Sequence, residues 1–436
     1  MLSLSQRAYR RLYIFVALVL LLHFYGVYYH YHPNNSPVYS IDGRIPADCP
    51  SLPGLSDVVL VLKTGVTEAH SKLPIHRNTT LRCIPNYIVW SDYDEEVADI
   101  PVHDVLYNES SHLHELPDFN LYTRVKSYGR NGLTQIDLSD DPSTPFGKSN
   151  PGWKLDKWKF IPMIEHTFRL FNKPSLKWYV FMEADTYILW SSLLFWLERL
   201  DHTRPYYMGN QMQIRDVIFG HGGSGFVLSR PAISQAASLI DAQRSHWDSV
   251  TESEWAGDCV LGMLLRDAGV NLEWSWPMLQ IAPPKEVEAF AGKYSRTPWC
   301  YPAVSFHHLK PDEIQEITRM ESTVARQSPK GAKEPVLWKD VFLEMNRPRM
   351  IEGNLVDWDN EGEEERTVVR SVEACRQLCE KDRNCLQFTR RPDGMCLFGR
   401  DARLGEAKKG YGSGWMLQRI DARARALGTC PQPKWT

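Results

Sequence analysis

Excess charge of either sign is missing from this sequence: 50 Lys and Arg stand against 53 Asp and Glu, a formal net charge of −3. A protein that neutralises nucleic-acid phosphates carries a basic surplus, so there is no electrostatic footprint for nucleic acid. Internal repeats and low-complexity tracts are also absent, which removes solenoid and collagen-like architectures. With 43% hydrophobic and 24% charged residues among 436, the composition is that of a globular protein and not of a disordered or coiled-coil chain. At roughly 150 residues per domain, two or three units are expected. Aromatics are plentiful, with 15 Trp and 19 Tyr. They suit either a large core or a sugar-stacking surface, and composition does not choose between the two.

One apolar run reaches membrane length. Tyr13 to Tyr29 reads YIFVALVLLLHFYGVYY, with His23 its one strongly polar side chain. Extended to residues 12–31 it has about 20 residues, which at roughly 1.5 Å rise spans about the 30 Å hydrocarbon layer. Arg7, Arg10 and Arg11 precede it, and no Lys or Arg follows until Arg44. That asymmetry predicts a cytoplasmic tail (1–11), a type II signal anchor (12–31) and a lumenal body. A cleaved signal peptide is the rival reading, but the run exceeds an h-region of about 7–15 residues and no A-x-A site follows it. The sequons at Asn78 and Asn108, and four cysteines (Cys375, Cys379, Cys385, Cys396) within a short stretch, agree with an oxidising lumen.

Residues 32–54, rich in Pro, Asn and Ser, read as a stem. An alternation of strands and helices then begins. The apolar runs at Asp57–Lys63, Tyr87–Trp90 and Trp178–Met182 have buried-strand length, and Phe160, Ile164 and Phe168 recur at helical spacing. Further helices are expected at Trp190–Leu200 and Asp258–Ala268, and short strands at Tyr206–Met208 and Phe226–Leu228. The fold class is therefore α/β with a mostly parallel sheet over residues 55–325, and ligand groups belong at the carboxyl ends of its strands. Residues 326–350 read as a linker and 351–430 as a smaller, cysteine-dense module. The acidic segment at Glu363–Glu365 reads as a solvated face.

Glu183-Ala184-Asp185 places two carboxylates directly after a hydrophobic strand. Hard oxygen ligands of this kind hold Mg²⁺ or Mn²⁺, and a divalent ion neutralises a diphosphate leaving group. A bare acid-x-acid pair equally describes an exposed loop with two unrelated acids.

The surrounding residues narrow the choice. Met182-Glu-Ala-Asp-Thr-Tyr187 resembles the D-D-D-T-Y motif of glycosyltransferase family 31, in its Fringe and core 1 β1,3-galactosyltransferase branch. In the same order, Gly222-Gly223-Ser224-Gly225-Phe226-Val227-Leu228-Ser229 is similar to G-G-A-G-Y-V-L-S, and Asp258-Cys259-Val260-Leu261-Gly262 to D-D-C-x-x-G. Val304-Ser305-Phe306-His307 is similar to I-S-F-H, and Val61-Leu62-Lys63-Thr64 to a first strand ending V-K-T. The resemblance implies a GT-A (Rossmann-like) fold, a UDP-sugar donor, Mn²⁺ (or Mg²⁺), a glycan or glycoprotein acceptor, inversion with a β1,3 linkage, and the Golgi membrane as location. By the same resemblance Asp185 and His307 bind the metal. Glu183 lies in its outer shell or near the nucleotide, Lys63 and Thr64 approach the nucleotide, and Gly222 and Gly223 pass close to donor or acceptor. Asp258 takes the position of the catalytic base. Ala184 replaces the family's middle acid, which leaves a catalytically silent, membrane-anchored binding protein as the alternative. His308 beside His307 leaves open which imidazole faces the ion, and Asp258 also suits the first turn of a helix on dipole grounds alone. Trp274-Ser275-Trp276 suits an acceptor-stacking surface or the core.

Cys375 and Cys379 lie one helical turn apart, ahead of two short strands containing Cys385 and Cys396. This pattern is similar to PAN/Apple domains, and by that resemblance Cys375 pairs with Cys396 and Cys379 with Cys385. Zinc coordination is the rival reading, against which stand the oxidising lumen and the C-x₃-C-x₅-C-x₁₀-C spacing. Such modules bind protein or carbohydrate. The partners of Cys49, Cys83, Cys259, Cys300 and Cys430 do not follow from the sequence. The module is expected to be dispensable for transfer to a small acceptor unless it completes the site.

Overall fold

A computed structural model describes residues 46–47, 49–138, 150–328, 334–351 and 353–436. The expected cytoplasmic tail, the anchor and most of the stem lie outside these residues. Among the described residues no helix is long and apolar enough to cross a membrane.

The strands before the linker are β1 (Val58–Lys63), β2 (Tyr87–Ser91), β3 (Glu95–Val97), β4 (Ile100–Asp104), β5 (Trp178–Glu183), β6 (Tyr187–Ile188), β7 (Tyr207–Gly209), β8 (Gln211–Ile214), β9 (Val217–Gly220), β10 (Phe226–Ser229), β11 (Leu272–Trp274) and β12 (Ser305–Phe306). Eight of them form one sheet in the order β11-β7-β10-β5-β1-β2-β4-β3. Strand β1 runs parallel to β2 and β5, and β2 to β4; β10 runs antiparallel to both β5 and β7, and β11 parallel to β7. The sheet is thus mixed but largely parallel, which fits a GT-A fold.

The alternation of side chains explains why β1 reads as an unbroken apolar run. Val58, Leu60 and Leu62 enter one buried cluster with Trp190, Leu193 and Phe306. Val59 and Val61 enter a second, on the opposite face, with Phe160, Ile164 and Trp247. A strand covered on both faces has no polar side to show. The helix Phe160–Leu170 supplies the second cover, and its spacing of four at Phe160 and Ile164 places both on the sheet side.

This topology gathers functional side chains on one edge. Because β1, β5, β7 and β11 are mutually parallel, Lys63, Glu183, Gly209 and Trp274 all stand at carboxyl ends on the same side of the sheet. The small β6–β12 pair then carries the chain from Tyr187 back beside Phe306, so that His307 returns to the turn after β5.

The remaining strands are β13 (Asn354–Asp359), β14 (Glu364–Val368), β15 (Gln387–Arg390), β16 (Met395–Gly399) and β17 (Glu406–Trp415). They form an antiparallel sheet ordered β13-β17-β15-β16-β14, against which the helix Val372–Lys381 packs. Cys375 is bonded to Cys396 and Cys379 to Cys385, and all four lie in the buried cluster between helix and sheet. Cys49 is bonded to Cys83 and Cys300 to Cys430, while Cys259 is a buried free thiol. The acidic segment at Glu364 is itself an edge strand, and Glu364 is paired with Arg366 and Arg400.

Candidate active site

The turn after β5 is pinned through its backbone carbonyls. Thr186 N–H donates to the Glu183 carbonyl at 3.0 Å, and His76 Nε2 lies 2.8 Å from the Ala184 carbonyl. Burial pushes the His76 imidazole down to about 4, so near neutral pH it is uncharged. Ala184 is 1% exposed and packs into the core. An acid at this position would point into apolar surroundings, so the missing middle carboxylate takes no ligand atom from the space beside Asp185.

Asp185 and His307 meet across that turn. His307 Nδ1 is 3.1 Å from Asp185 Oδ1, and the Asp185 carbonyl accepts from the Leu309 N–H at 2.9 Å. Thr186 Oγ1 lies 3.2 Å from His307 Nδ1 and donates to the Gly223 carbonyl at 2.6 Å. Lys72 Nζ reaches the other oxygen, Asp185 Oδ2, at 3.1 Å, and is itself paired with Glu68 at 2.7 Å. Burial works against the charge of Asp185, but the His307 hydrogen bond and the two cations hold its carboxyl well below the usual range. Burial likewise opposes charge on His307, and Asp185 outweighs it and raises the imidazole.

Asp185, His307 and His308 each present one ligand atom within 4.8 Å of the others. A carboxylate oxygen with one or two imidazole nitrogens is a donor set that accepts Mn²⁺ more readily than Mg²⁺, which keeps to oxygen ligands. His307 is buried and His308 exposed, with a positive φ of 58° that turns it from the strand direction. The residues present therefore fit a divalent ion at Asp185 and His307.

Glycine loop residues close this site from the opposite side. A Cβ on Gly223 would stand 2.1 Å from His307 Nε2, and one on Gly222 would crowd Phe160 at 3.0 Å and Glu183 Oε1 at 3.4 Å. Gly225 has φ +78°, a conformation that side chains rarely adopt. The loop thus packs flat on the imidazole while its Gly222 N–H points away, to Asp258.

Asp258 sits in the first turn of the helix Gly257–Asp267. Its Oδ2 accepts from Gly222 N–H at 3.0 Å and its Oδ1 from its neighbour Cys259 N–H at 2.9 Å. Burial raises the carboxyl to about 6; the Gly222 N–H counters this and the charge of Glu183 adds to it. Both the helix-terminus reading and the base reading of Asp258 are thus compatible with one position.

Lys63 is not a free cation. Its Nζ donates to both oxygens of Asp156, at 2.6 and 2.7 Å, and pairs with Glu183 Oε1 at 3.1 Å, over the Phe160 ring. Glu183 is accordingly turned toward Lys63. Thr64 is 2% exposed and its hydroxyl faces Glu68 at 3.3 Å. Buried Lys159 braces the same strand ends, donating to the Thr64 carbonyl at 2.8 Å and pairing with Asp92 at 3.3 Å.

The geometry thus gathers Lys63, Glu183, Asp185, Gly222, Gly223, Asp258 and His307 at one sheet edge, with Thr64 beneath it. Sequence reasoning passed over Lys72, Asp156, Lys159 and His221. Asp156 is 93 positions from the lysine it pairs with, and no local pattern marks such a partner. His221, whose ring lies 5.5 Å from His307 and whose Nδ1 accepts from Ser224 N–H at 3.0 Å, directly precedes the glycine block, and that adjacency is its one signal in the sequence.

Residues 149–280 match the family described as Fringe-like. The matched stretch contains Glu183, Asp185, Gly222, Gly223 and Asp258, and ends before His307. A search of curated proteins finds no match to the chain. The Fringe-like resemblance is therefore borne out over that stretch, and it implies a glycosyltransferase.

Proposed function

We propose that this Fringe-like chain is an inverting glycosyltransferase that moves a hexose or N-acetylhexosamine from a UDP-sugar to a glycan or glycoprotein hydroxyl, with a β1,3 linkage, in the Golgi lumen. The anchor at 12–31 tethers it, and residues 351–430 form an appended PAN/Apple-like module. The observation that carries this reading is the convergence of Asp185 and His307 at 3.1 Å on one side of the glycine loop, with Asp258 hydrogen-bonded to that loop's other side.

Asp185 and His307 hold Mn²⁺ in this reading, and when bound the ion supplies positive charge to the departing diphosphate. Asp258 accepts the proton of the acceptor hydroxyl as that oxygen attacks the anomeric carbon from the face opposite the leaving group. Two backbone N–H groups fix its orientation. A carboxylate with a pKa near 6 is ionised at neutral pH yet a stronger base than an ordinary aspartate. Lys63 holds Glu183 and Asp156 in place, and Lys72 adds a cation at the rim of the Asp185 carboxylate.

One observation favours the silent alternative. Lys72 already neutralises Asp185 Oδ2, and a lysine in that place supplies charge without an ion. UDP release from common UDP-sugars by the full-length protein, with Mn²⁺ and with chelator, separates the readings. Metal-stimulated release is expected; no release from any donor favours the silent relative.

A further inference from the structure

Trp274 ends β11 on the same carboxyl edge as Glu183, and the order β5-β10-β7-β11 sets it three strand spacings away, about 14 Å at roughly 4.8 Å each. The space between is bridged by contacts that start at the proposed base. Asp258 holds Gly222, the neighbouring His221 N–H donates to the Asn210 carbonyl at 2.8 Å, and Trp274 Nε1 lies 3.4 Å from Asn210 Oδ1. Trp274 stacks on Trp276 with ring centres 6.1 Å apart, and Tyr294 stands edge-on to both at 4.9 and 5.8 Å. Trp274 and Trp276 are half-buried, and Tyr294 is 71% exposed. Arg296 braces the platform, with its guanidinium over the Trp274 ring and a hydrogen bond to the Trp276 carbonyl. None of the three belongs to a core cluster; together they form a partly open aromatic surface, with Tyr294 its most exposed member.

Beside it lies a cavity of about 150 Å³ between the two sheets' domains, lined among others by Trp276, Gln280, Glu286, Glu288, Lys293 and Arg403. A space of this size takes the hydroxyl-bearing edge of one ring and not a whole oligosaccharide. Glu288 and Lys293 neutralise each other at 2.5 Å. Arg403 spends its terminal nitrogens on Glu361 and Glu363, and its Nε is closed off from solvent. The wall thus offers a carboxylate at Glu286 and aromatic carbon at Trp276, with the Glu288–Lys293 pair satisfied and Arg403 fixed by its acidic partners. A neutral pyranose matches both: its hydroxyls donate to the carboxylate, and the C–H face of the ring packs on an aromatic.

We propose that this platform and cavity are an acceptor subsite for a neutral hexose next to the sugar being modified, and that the carboxyl-terminal module, through Arg403, helps select the acceptor. The proposal rests on the reading of the chain as a glycan-modifying transferase. It places the reacting ring over β10 and β7 beside Asp258, and the following ring on Trp274, Trp276 and Tyr294.

The test is saturation-transfer NMR of the full-length protein with lactose, cellobiose and mannobiose against galactose, glucose and mannose. At least one disaccharide is expected to bind at least 10-fold more tightly than its monosaccharides. Trp276→Ala and Tyr294→Ala are each expected to weaken that binding at least 10-fold, the second guarding against misfolding because its side chain is exposed. Tyr128→Ala, at an exposed position outside the site, leaves it unchanged. Failure of every disaccharide to bind, or unaltered binding in Tyr294→Ala, overturns the subsite. UDP binding with Mn²⁺ is measured on the same samples: UDP binding without disaccharide binding overturns the subsite and keeps the transferase, and disaccharide binding without UDP binding does the reverse.

Discussion

At the scale of single residues, Asp258 makes the sharpest demand. Its carboxyl is raised to about 6 by burial, and a base works only when ionised. The rate of transfer is therefore expected to hold above pH 7 and to fall about tenfold per unit below pH 6. Asp258→Asn is expected to spare UDP binding and cut kcat by about 10²–10⁴-fold; single-turnover transfer assays across pH check both. A near-normal kcat would remove Asp258 as base. Ala184 makes the opposite point. From sequence it reads as a lost acid beside the ion, but its side chain packs into the core, so its neighbours and not its identity decide the site. That orientation comes from the tertiary fold, and no motif states it.

Among the elements, the strands were the most legible part of the sequence. The runs in β1, β2 and β5 are apolar because both faces are covered, and the residue that ends each run reaches the working edge of the sheet. The helix Gly257–Asp267 was legible from Asp258 and the stop at Gly269. Less visible were the ion pairs that brace these elements. Lys63 with Asp156, and Lys159 with Asp92, join segments far apart in the chain, and charge alone does not tell a brace from a solvated residue. The glycine loop is the element whose function is most exposed to a small change. Gly223→Ala brings a methyl within 2.1 Å of the His307 ring. An overpacked contact of that kind costs about 1–3 kcal/mol. If the imidazole yields, Mn²⁺-dependent UDP affinity is expected to fall at least tenfold; calorimetric UDP titration of the variant checks this, and unchanged affinity would separate His307 from the ion.

The whole molecule departs from the picture of an enzyme with a detachable appendage. Phe290, Trp299 and Phe342 share one buried cluster with Leu386, Trp415 and Ile420 of the carboxyl-terminal module. Asp401 accepts from the Phe290 and Ala291 N–H groups, at 2.9 and 2.5 Å, and Cys300 is bonded to Cys430 across the same junction. The sequence marks a change of composition near residue 350 but carries no sign of this shared core, whose members come from distant segments. Trp415→Ala is accordingly expected to cost about 3–5 kcal/mol and, in thermal denaturation, to lower the melting of the entire described body in a single transition. Removal of residues from Ile351 onward is expected to yield an unstable catalytic portion. A truncated protein that melts at the full-length temperature would restore the detachable picture.

The proposed chemistry depends on Asp185 and His307, brought together from positions far apart in the chain, binding a divalent ion under a nucleotide diphosphate. Calorimetric titration of UDP into the full-length protein, with Mn²⁺ and with chelator, tests it on the wild type and on Asp185→Asn. Binding is expected to need Mn²⁺ and to be lost in the variant. Binding of equal strength with chelator, or in Asp185→Asn with Mn²⁺, would contradict it.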